Sequence, residues 1–196
     1  MEFCVLFKSL LTSKNIYVHS LISFLFMFFI LTIQNNFIYP IEKLITNSPV
    51  IDYVSILYLP HGTKIMLFFI YRHISIFPIF LATYFYGFTL DFNIVHLLGS
   101  FIGIFGIFLS FFLCSFLLQN ETVYSKKYVL WRLLVVVSFF SALLNAIFQS
   151  MLISFIFKDF NLNLLFLFGD IMGSITIIFL MISFRSFFLR LIINEK

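Results

Sequence analysis

Charged residues are scarce in this sequence, since Asp, Glu, Lys and Arg make up only 10% of its 196 residues. A soluble domain carries roughly 25%. Hydrophobic residues reach 62%, and a soluble globule of this length cannot bury so many of them. A lipid bilayer accepts apolar side chains on the outside of a fold. The low charge therefore excludes an ordinary soluble domain and predicts an integral membrane protein with a single domain.

Catalytic and cofactor motifs are missing as well. The sequence has no metal-ligand spacing, no nucleotide-binding glycine loop and no nucleophile motif. Its two cysteines, Cys4 and Cys114, match no disulfide or metal pattern and read as apolar fillers. The net charge of +4 is explained below by membrane topology rather than by nucleic acid. We predict a protein that is not an enzyme, with no cofactor, no metal and no nucleic-acid partner.

Apolar runs of membrane-spanning length, about 20 residues, recur along the chain. The predicted fold is all-α: a polytopic bundle of about six transmembrane helices over residues 16–184. Residues 1–15 are predicted as a cytoplasmic or interfacial segment, and residues 185–196 as a short cytoplasmic tail. The second helix is predicted to be broken at Pro60-Gly62, and the second and third spans could instead form a re-entrant hairpin. The predicted spans cover residues 16–33, 53–71, 74–90, 94–118, 131–155 and 162–184.

Lysine and arginine flank these spans unevenly. With the N-terminus inside, nine basic residues fall in the inner flanks and only Lys43 and Lys158 in the outer ones. Cytoplasmic flanks carry the excess of basic residues in membrane proteins. Six spans with both termini in the cytoplasm therefore fit the sequence best.

Ionisable residues inside the spans form the first candidate site. His61 and Lys64 follow Pro60 in the second span, and Asp170 lies in the sixth. An ionisable group in lipid is costly and usually faces the bundle interior. We predict that Asp170 pairs with Lys64 or, failing that, with His61. The alternatives are a kink that only shapes the bundle and a purely structural ion pair.

A polar stripe follows one face of the fifth span, where Ser138, Ser141, Asn145 and Gln149 recur at steps of three and four. Ordinary hydrogen bonding between helices would explain the serines. By depth, the polar residues of three spans converge in the outer half of the bilayer and predict a pocket open to the outer side. The predicted ligand-binding residues are His61, Lys64, Asn145, Gln149 and Asp170.

Small residues form a seam on the fourth span, because Gly99, Gly103 and Gly106 recur at steps of three and four. Glycines let helix backbones approach closely. We predict that this seam packs against a neighbouring helix and that Gly169 and Gly173 of the sixth span do the same. His96, at the outer end of the seam, is a further pocket candidate.

Two motifs resemble a known family. The run Tyr58-Leu59-Pro60-His61-Gly62-Thr63-Lys64, followed by an apolar stretch and Arg72, is similar to part of the MASE1 family of bacterial membrane sensor domains. The run Gly169-Asp170-Ile171-Met172-Gly173 matches that family's Gly-Asp-x-x-Gly pattern. The Leu-Pro-His-Gly form also resembles short membrane proteins of proteobacteria. Tyr58 and Leu59 stand where the family usually has Trp, and its members have more spans and feed cytoplasmic output domains.

The resemblance implies a bacterial inner-membrane location and a sensor role that depends on a partner protein. The leading hypothesis is a small-molecule-binding or sensory membrane module. One alternative is the substrate-binding component of a membrane transporter, and another is a structural scaffold subunit. Its expected partners are the lipid bilayer, a small-molecule ligand and a membrane or cytoplasmic protein.

Overall fold

The computed structural model describes residues 16–46, 55–88, 94–117, 127–157 and 162–184. Helix covers nearly all of these residues and no strand occurs among them, so the all-α prediction is confirmed for this part of the chain. A π-helical turn, Gln34–Ile38, joins α1 to α2, and a 3-10 turn, Arg72–Ser75, joins α3 to α4. The α-helices are α1 Ile16–Ile33, α2 Tyr39–Thr46, α3 Leu59–Tyr71, α4 Ile76–Phe88, α5 Ile94–Leu117, α6 Lys127–Phe157 and α7 Leu162–Ser183.

Five helical stretches in the described ranges are long and apolar enough to cross a membrane. The second stretch joins α3, the 3-10 turn and α4, which the sequence predicts as two separate spans. Length and apolar composition identify a membrane protein. The five stretches are Ile16–Ile45, Leu59–Gly87, Leu97–Cys114, Leu133–Leu152 and Leu164–Ser183.

The outside of the bundle is apolar, as lipid requires. Large hydrophobic side chains such as Leu21, Phe101 and Phe179 are more than half exposed. The interior is also apolar, with Met27, Leu134 and other large side chains fully buried. Whether a side chain is buried thus depends on its contact with other helices and not on its hydrophobicity.

Helix α3 lies at the centre of the bundle and runs antiparallel to α1. Gln34, just after α1, accepts a hydrogen bond from the backbone of Leu59, the first residue of α3. At the other end of α3, the Tyr71 ring lies 5.1 Å from the His19 ring in the first turn of α1. Ten of the 13 residues of α3 are buried, so its polar residues have no contact with lipid.

The chain reverses direction after α3. Arg72 adopts φ 53°, and non-glycine residues rarely take a positive φ. Helix α4 then returns along α1, because the Tyr86 ring packs 5.5 Å from the Phe28 ring, more than two turns beyond His19. The long stretch Leu59–Gly87 therefore consists of two arms that share α1 as a neighbour.

The predicted break at Pro60-Gly62 needs correction. Pro60 lies in the first turn of α3, where the missing N–H of proline costs nothing. The helix continues without interruption through Gly62 and Lys64 to Tyr71. The irregular backbone lies before α3, at residues 55–58, and after it, at the Arg72–Ser75 turn.

Several predictions fall on other parts of the chain. The segment 1–15 and the tail 185–196 lie outside the described residues. So do most of the basic flanks, including Lys126 and Lys158. His96 belongs to α5, but the position of its side chain lies outside the description.

Candidate ligand site in the bundle core

Four of the predicted ligand-binding residues converge between three helices. His61 and Lys64 come from α3, Asn145 from α6 and Asp170 from α7. Their exposed fractions are 0%, 5%, 4% and 1%, respectively. We call these four residues the core cluster. Such burial of ionisable groups within apolar helices is costly, which makes the core cluster the candidate functional site.

Asp170 is the hub of the core cluster. Its Oδ2 atom accepts a hydrogen bond of 2.5 Å from the Asn145 side-chain amide. The Nδ1 atom of His61 lies 3.5 Å from the same oxygen. This distance is too long for a good hydrogen bond. The structure thus brings Asp170 to His61, the second of its two predicted partners.

Lys64 lies on the other side of the cluster, towards α5. A Cβ atom placed on Gly103 would lie 3.0 Å from Lys64 Nζ and 3.5 Å from Asn145 Oδ1. The contacts of Asp170 are with Asn145 and His61. Gly103 therefore provides space for an ammonium group rather than for a neighbouring backbone.

Gln149 is set apart from the core cluster. It lies one turn beyond Asn145 on α6, and its Nε2 atom donates a hydrogen bond of 2.8 Å to the carbonyl of Gly99 on α5. A Cβ atom on Gly99 would lie 3.2 Å from the Gln149 Oε1 atom. Gln149 thus links α5 to α6, whereas the sequence predicts it as a ligand-binding residue.

Glycines bring α3 and the residues before it against α7. A Cβ atom on Gly62 would lie 2.7 Å from the carbonyl oxygen of Gly173. Side chains at Gly169 and Gly173 would overlap the carbonyl groups of Ser55 and Tyr58. These glycines allow the backbones to touch, whereas Gly106 on α5 has only ordinary contacts, the nearest at 3.7 Å.

Five buried polar atoms around the core cluster have no hydrogen-bond partner among the described residues. Most buried polar groups in proteins are hydrogen-bonded, and each exception needs an explanation. Some of these atoms belong to the core cluster itself, and the others to α6 and α7 one turn away. They are His61 Nδ1 and Nε2, Asn145 Oδ1, Ser141 Oγ and Ser174 Oγ.

Space beside the cluster is small. A void of about 10 Å³ adjoins Lys64 and is otherwise lined by Phe68 and four isoleucines of α4 and α5. This is close to the minimum for a single water molecule. The void does not reach His61, Asn145 or Asp170, but these three residues are 0–4% exposed, so a ligand larger than a water molecule would require the described helices to separate.

A second polar network, which sequence reasoning missed, anchors the chain just before α3. Ser55 and the backbone N–H groups of Ile56 and Leu57 all donate to the carboxylate of Glu42, at 2.7–3.2 Å. Gln34 donates to the hydroxyl of Ser55 at 2.8 Å and accepts from the backbone of Leu59 at 3.1 Å. We call Gln34, Glu42 and Ser55 the clasp.

The clasp had only a weak signal in the sequence. Gln34 ends an apolar run and Glu42 follows in a polar connection, which is the usual composition of a loop. Glu42 is nevertheless only 9% exposed. The sequence pattern that could indicate the clasp is a single acidic residue beside a long apolar run, followed by a segment without helix signals.

The donors available near the core cluster do not suit a transition metal. No group of three His, Cys, Asp or Glu side chains in the described ranges is placed to hold a metal ion. The cluster instead combines an ammonium, an imidazole, a carboxylate and a carboxamide. Such groups bind small polar molecules through hydrogen bonds and charge.

Comparison with known proteins identifies no relative: no protein family, curated protein or solved structure matches this chain. The function is therefore inferred from the site itself.

Proposed function

We propose that this protein is a bacterial inner-membrane module that binds a small polar molecule at the core cluster and acts on a partner protein. The observation that carries the proposal is the set of unpaired polar atoms at His61 and Asn145, buried beside the charges of Lys64 and Asp170. A bound molecule that supplies hydrogen bonds would remove the cost of leaving these atoms unpaired.

The closed state of the site supports a sensory role. The four residues of the core cluster are at most 5% exposed where α3, α6 and α7 meet, so binding of a molecule among them would shift the packing of these helices. A ligand that binds one arrangement of the helices more tightly shifts the population towards it. Such a shift would be the signal read by a partner.

A ligand screen tests this proposal. The purified chain in detergent would be heated in the presence of amino acids, dicarboxylates, amines and other small polar molecules. We expect one class to raise the melting temperature of the wild type and to lose most of that effect in Lys64→Met. Thr176→Val, a change at a partly exposed position of α7 whose hydroxyl bonds its own helix, is the matched control. Equal shifts in Lys64→Met and Thr176→Val would contradict binding at the core cluster.

Six membrane crossings, with both termini in the cytoplasm, form the topological part of the proposal. The antiparallel course of α3 and the return of α4 along α1 support counting the Leu59–Gly87 stretch as two crossings. The excess of basic residues on one side supports the orientation. Each arm has 13 residues, or about 20 Å of helix, so flanking residues would complete each crossing.

Reporter fusions test the topology. Fusions near Lys126 and at Lys196 should report the cytoplasm, and fusions near Glu42 and Asp159 should report the outer side. A fusion near Lys126 on the outer side would contradict six crossings.

A transporter component is the second candidate function. Ionisable residues that face the interior of a helical bundle, as the buried His61, Lys64 and Asp170 do, also line the substrate and ion pathways of transporters. Reconstituted vesicles separate the two functions, because a transporter subunit supplied with its energising partner would accumulate the ligand found in the screen, whereas a sensor would only bind it. Binding of no ligand in either assay would favour a third possibility, a structural scaffold subunit.

A further inference from the structure

Two polar groups of the core cluster face the space beside Gly103 of α5. A Cβ atom placed on Gly103 would lie 3.0 Å from Lys64 Nζ and 3.5 Å from Asn145 Oδ1. The Lys64 ammonium forms no ion pair within the described ranges, where the Asp170 carboxylate lies beside His61 instead. Asn145 Oδ1 is buried without a hydrogen bond from any described residue. A cationic donor and a neutral acceptor therefore face the same side of α5.

Asp170 holds the carboxamide of Asn145 in one orientation. The Asn145 Nδ2 atom donates to Asp170 Oδ2, and a carboxylate only accepts hydrogen bonds. The Oδ1 atom therefore points to the side of Gly103. Hydrogen bonds polarise one another in a low-dielectric interior, so the bond to Asp170 makes Asn145 Oδ1 a stronger acceptor. The site thus offers a positively charged donor and an acceptor that needs an N–H or O–H group.

The void on the other side of Lys64 is apolar. Phe68, one turn further along α3, lines this void together with isoleucines of α4 and α5. Ile107 lies one turn beyond Gly103 on the same face of α5, so the polar and apolar ends of the site follow each other along that helix. The Phe68 ring packs 4.6 Å from the Phe111 ring, which keeps α3 and α5 in contact at the apolar end. The lining isoleucines are Ile76, Ile79, Ile104 and Ile107.

We propose that this site binds a small carboxylate that carries an amino or hydroxyl group on the adjacent carbon and a short apolar side chain. The ligand carboxylate pairs with the Lys64 ammonium, its amino or hydroxyl group donates to Asn145 Oδ1, and its side chain lies against Phe68 and the isoleucines. Since the void measures only about 10 Å³, the side chain moves α3, α4 and α5 apart as it enters. The proposal rests on the function proposed above, because it names the class of ligand that the core cluster takes.

L-Leucine and α-hydroxyisocaproate are the probes, because each combines all three parts and they differ only in the amino or hydroxyl group. The purified full chain in detergent would be titrated with each, and the rise in melting temperature would give the apparent affinity. Three related compounds each lack one part: isocaproate lacks the amino or hydroxyl group, isoamylamine lacks the carboxylate and glycine lacks the apolar side chain. We expect each of the three to bind at least about tenfold more weakly than the tighter probe.

A first pair of variants tests the polar end of the site. Gly103→Ala places a methyl group between Lys64 Nζ and Asn145 Oδ1 and should weaken the affinity for the tighter probe by at least about tenfold. Gly106→Ala is the matched control, because it makes the same change on the same helix with the nearest atom 3.7 Å away. It should bind the probe as the wild type does. Equal affinities in the two variants would overturn the proposal.

A second pair tests the apolar end. Ile107→Ala enlarges the void, so a probe with a larger side chain, phenylalanine or phenyllactate, should gain about tenfold in affinity relative to the smaller probe. Ile177→Ala makes the same change at a buried position of α7 that does not line the void, and it should keep the wild-type ratio. The two affinities are compared within one variant, so a loss of stability does not obscure the ratio. An unchanged ratio in Ile107→Ala would contradict the proposed position of the side chain.

The outcomes separate this proposal from the function on which it rests. If isocaproate or isoamylamine bound as tightly as the probes, one of the polar parts would not be recognised and the proposal would be wrong. If only a dicarboxylate or an amine bound, and lost its affinity in Lys64→Met, the core cluster would still be a ligand site but the class proposed here would be wrong. If no compound bound, both proposals would be wrong.

Discussion

The clasp and the core cluster are both buried polar networks, and they differ in how completely their hydrogen bonds are made. Glu42 accepts three hydrogen bonds, and Gln34 both donates and accepts. In the core cluster, both ring nitrogens of His61 and one oxygen of Asn145 have no described partner. The two networks lie on either side of Tyr58, whose backbone N–H bonds the carbonyl of Gly169.

The difference separates a network whose hydrogen bonds are complete from one whose hydrogen bonds are not. A fully satisfied buried network makes the local structure unique and rigid. A partly satisfied one retains an energetic cost, which a ligand can relieve. The clasp therefore holds the start of α3 in place, and the core cluster is where the proposed ligand would gain hydrogen bonds. Each prediction below changes the clasp, the core cluster or the contact between them.

The largest effect is expected when the clasp is broken. Glu42→Ala leaves the hydroxyl of Ser55 and the N–H groups of Ile56 and Leu57 without their acceptor. We expect the free energy of unfolding in detergent to fall by about 3 kcal/mol. Glu42→Gln keeps one acceptor oxygen and should lose less, and Leu44→Ala, on the exposed side of α2, should lose least. If Leu44→Ala lowered the free energy of unfolding as much as Glu42→Ala does, the effect would come from α2 in general and not from the hydrogen bonds of the clasp.

The second largest effect is expected where α7 contacts residues 55–58, between the clasp and the core cluster. Gly173→Ala places a methyl group against the carbonyl of Tyr58, and this backbone cannot easily move while the clasp holds it. We expect a loss of about 2 kcal/mol in chemical unfolding. Gly106→Ala is the matched control, because it makes the same change within a helix where the nearest atom is 3.7 Å away. Similar stability of the two variants would disprove close backbone contact between α7 and residues 55–58.

Within the core cluster, a moderate effect is expected from the charges. Asp170→Asn and Lys64→Met each leave the other charge without its counterpart. The free energy of unfolding should therefore fall less in the double variant than the two single losses added together, by about 1 kcal/mol. The unfolding of all variants is measured at the same salt concentration. As the control, the losses of unfolding free energy in Lys64→Met and Thr176→Val should simply add up when the two changes are combined. Additive losses for the Asp170 and Lys64 pair would mean that the two charges do not interact.

The smallest effect is expected at the unpaired hydroxyls. Ser174→Ala removes a hydroxyl that has no described hydrogen bond to lose, so the free energy of unfolding should change by about 0.5 kcal/mol or less. Ser110→Ala is the comparison variant. It loses the hydrogen bond that the Ser110 hydroxyl donates to the carbonyl of Gly106, so its free energy of unfolding should not rise. A large loss in Ser174→Ala would reveal a partner for its hydroxyl and weaken the contrast between the two networks.

The convergence of the polar residues was predictable from the sequence in part. An isolated Asp170 in an apolar span had to face other polar groups, and His61, Lys64 and Asn145 were the deepest candidates. The specific contacts were not predictable, since the sequence favoured Lys64 over His61 as the partner of Asp170. Gln149 was misplaced because one turn of helix decides whether a side chain meets the cluster or the backbone of α5, and spacing alone does not give that rotation.

The clasp escaped prediction for a different reason. Gln34 and Glu42 belong to a polar stretch between apolar runs, where composition indicates a loop. Their burial results from residues 55–58, which lie 13 or more positions away in the chain and fold back over them. A contact between two irregular segments has no periodicity, and periodicity is the signal that sequence reasoning uses.

The sequence by itself determined that this chain is helical and belongs in a membrane, because the hydrophobicity of a long run adds up residue by residue and needs no knowledge of neighbours. Only the tertiary structure decided which polar atoms are satisfied. The start of α3 at Leu59, the reversal at Arg72 and the close approach of Gly62 to Gly173 set the rotation and height of each helix. These are properties of packed pairs, in which a shift of one turn moves a side chain by about 5 Å and exchanges one partner for another.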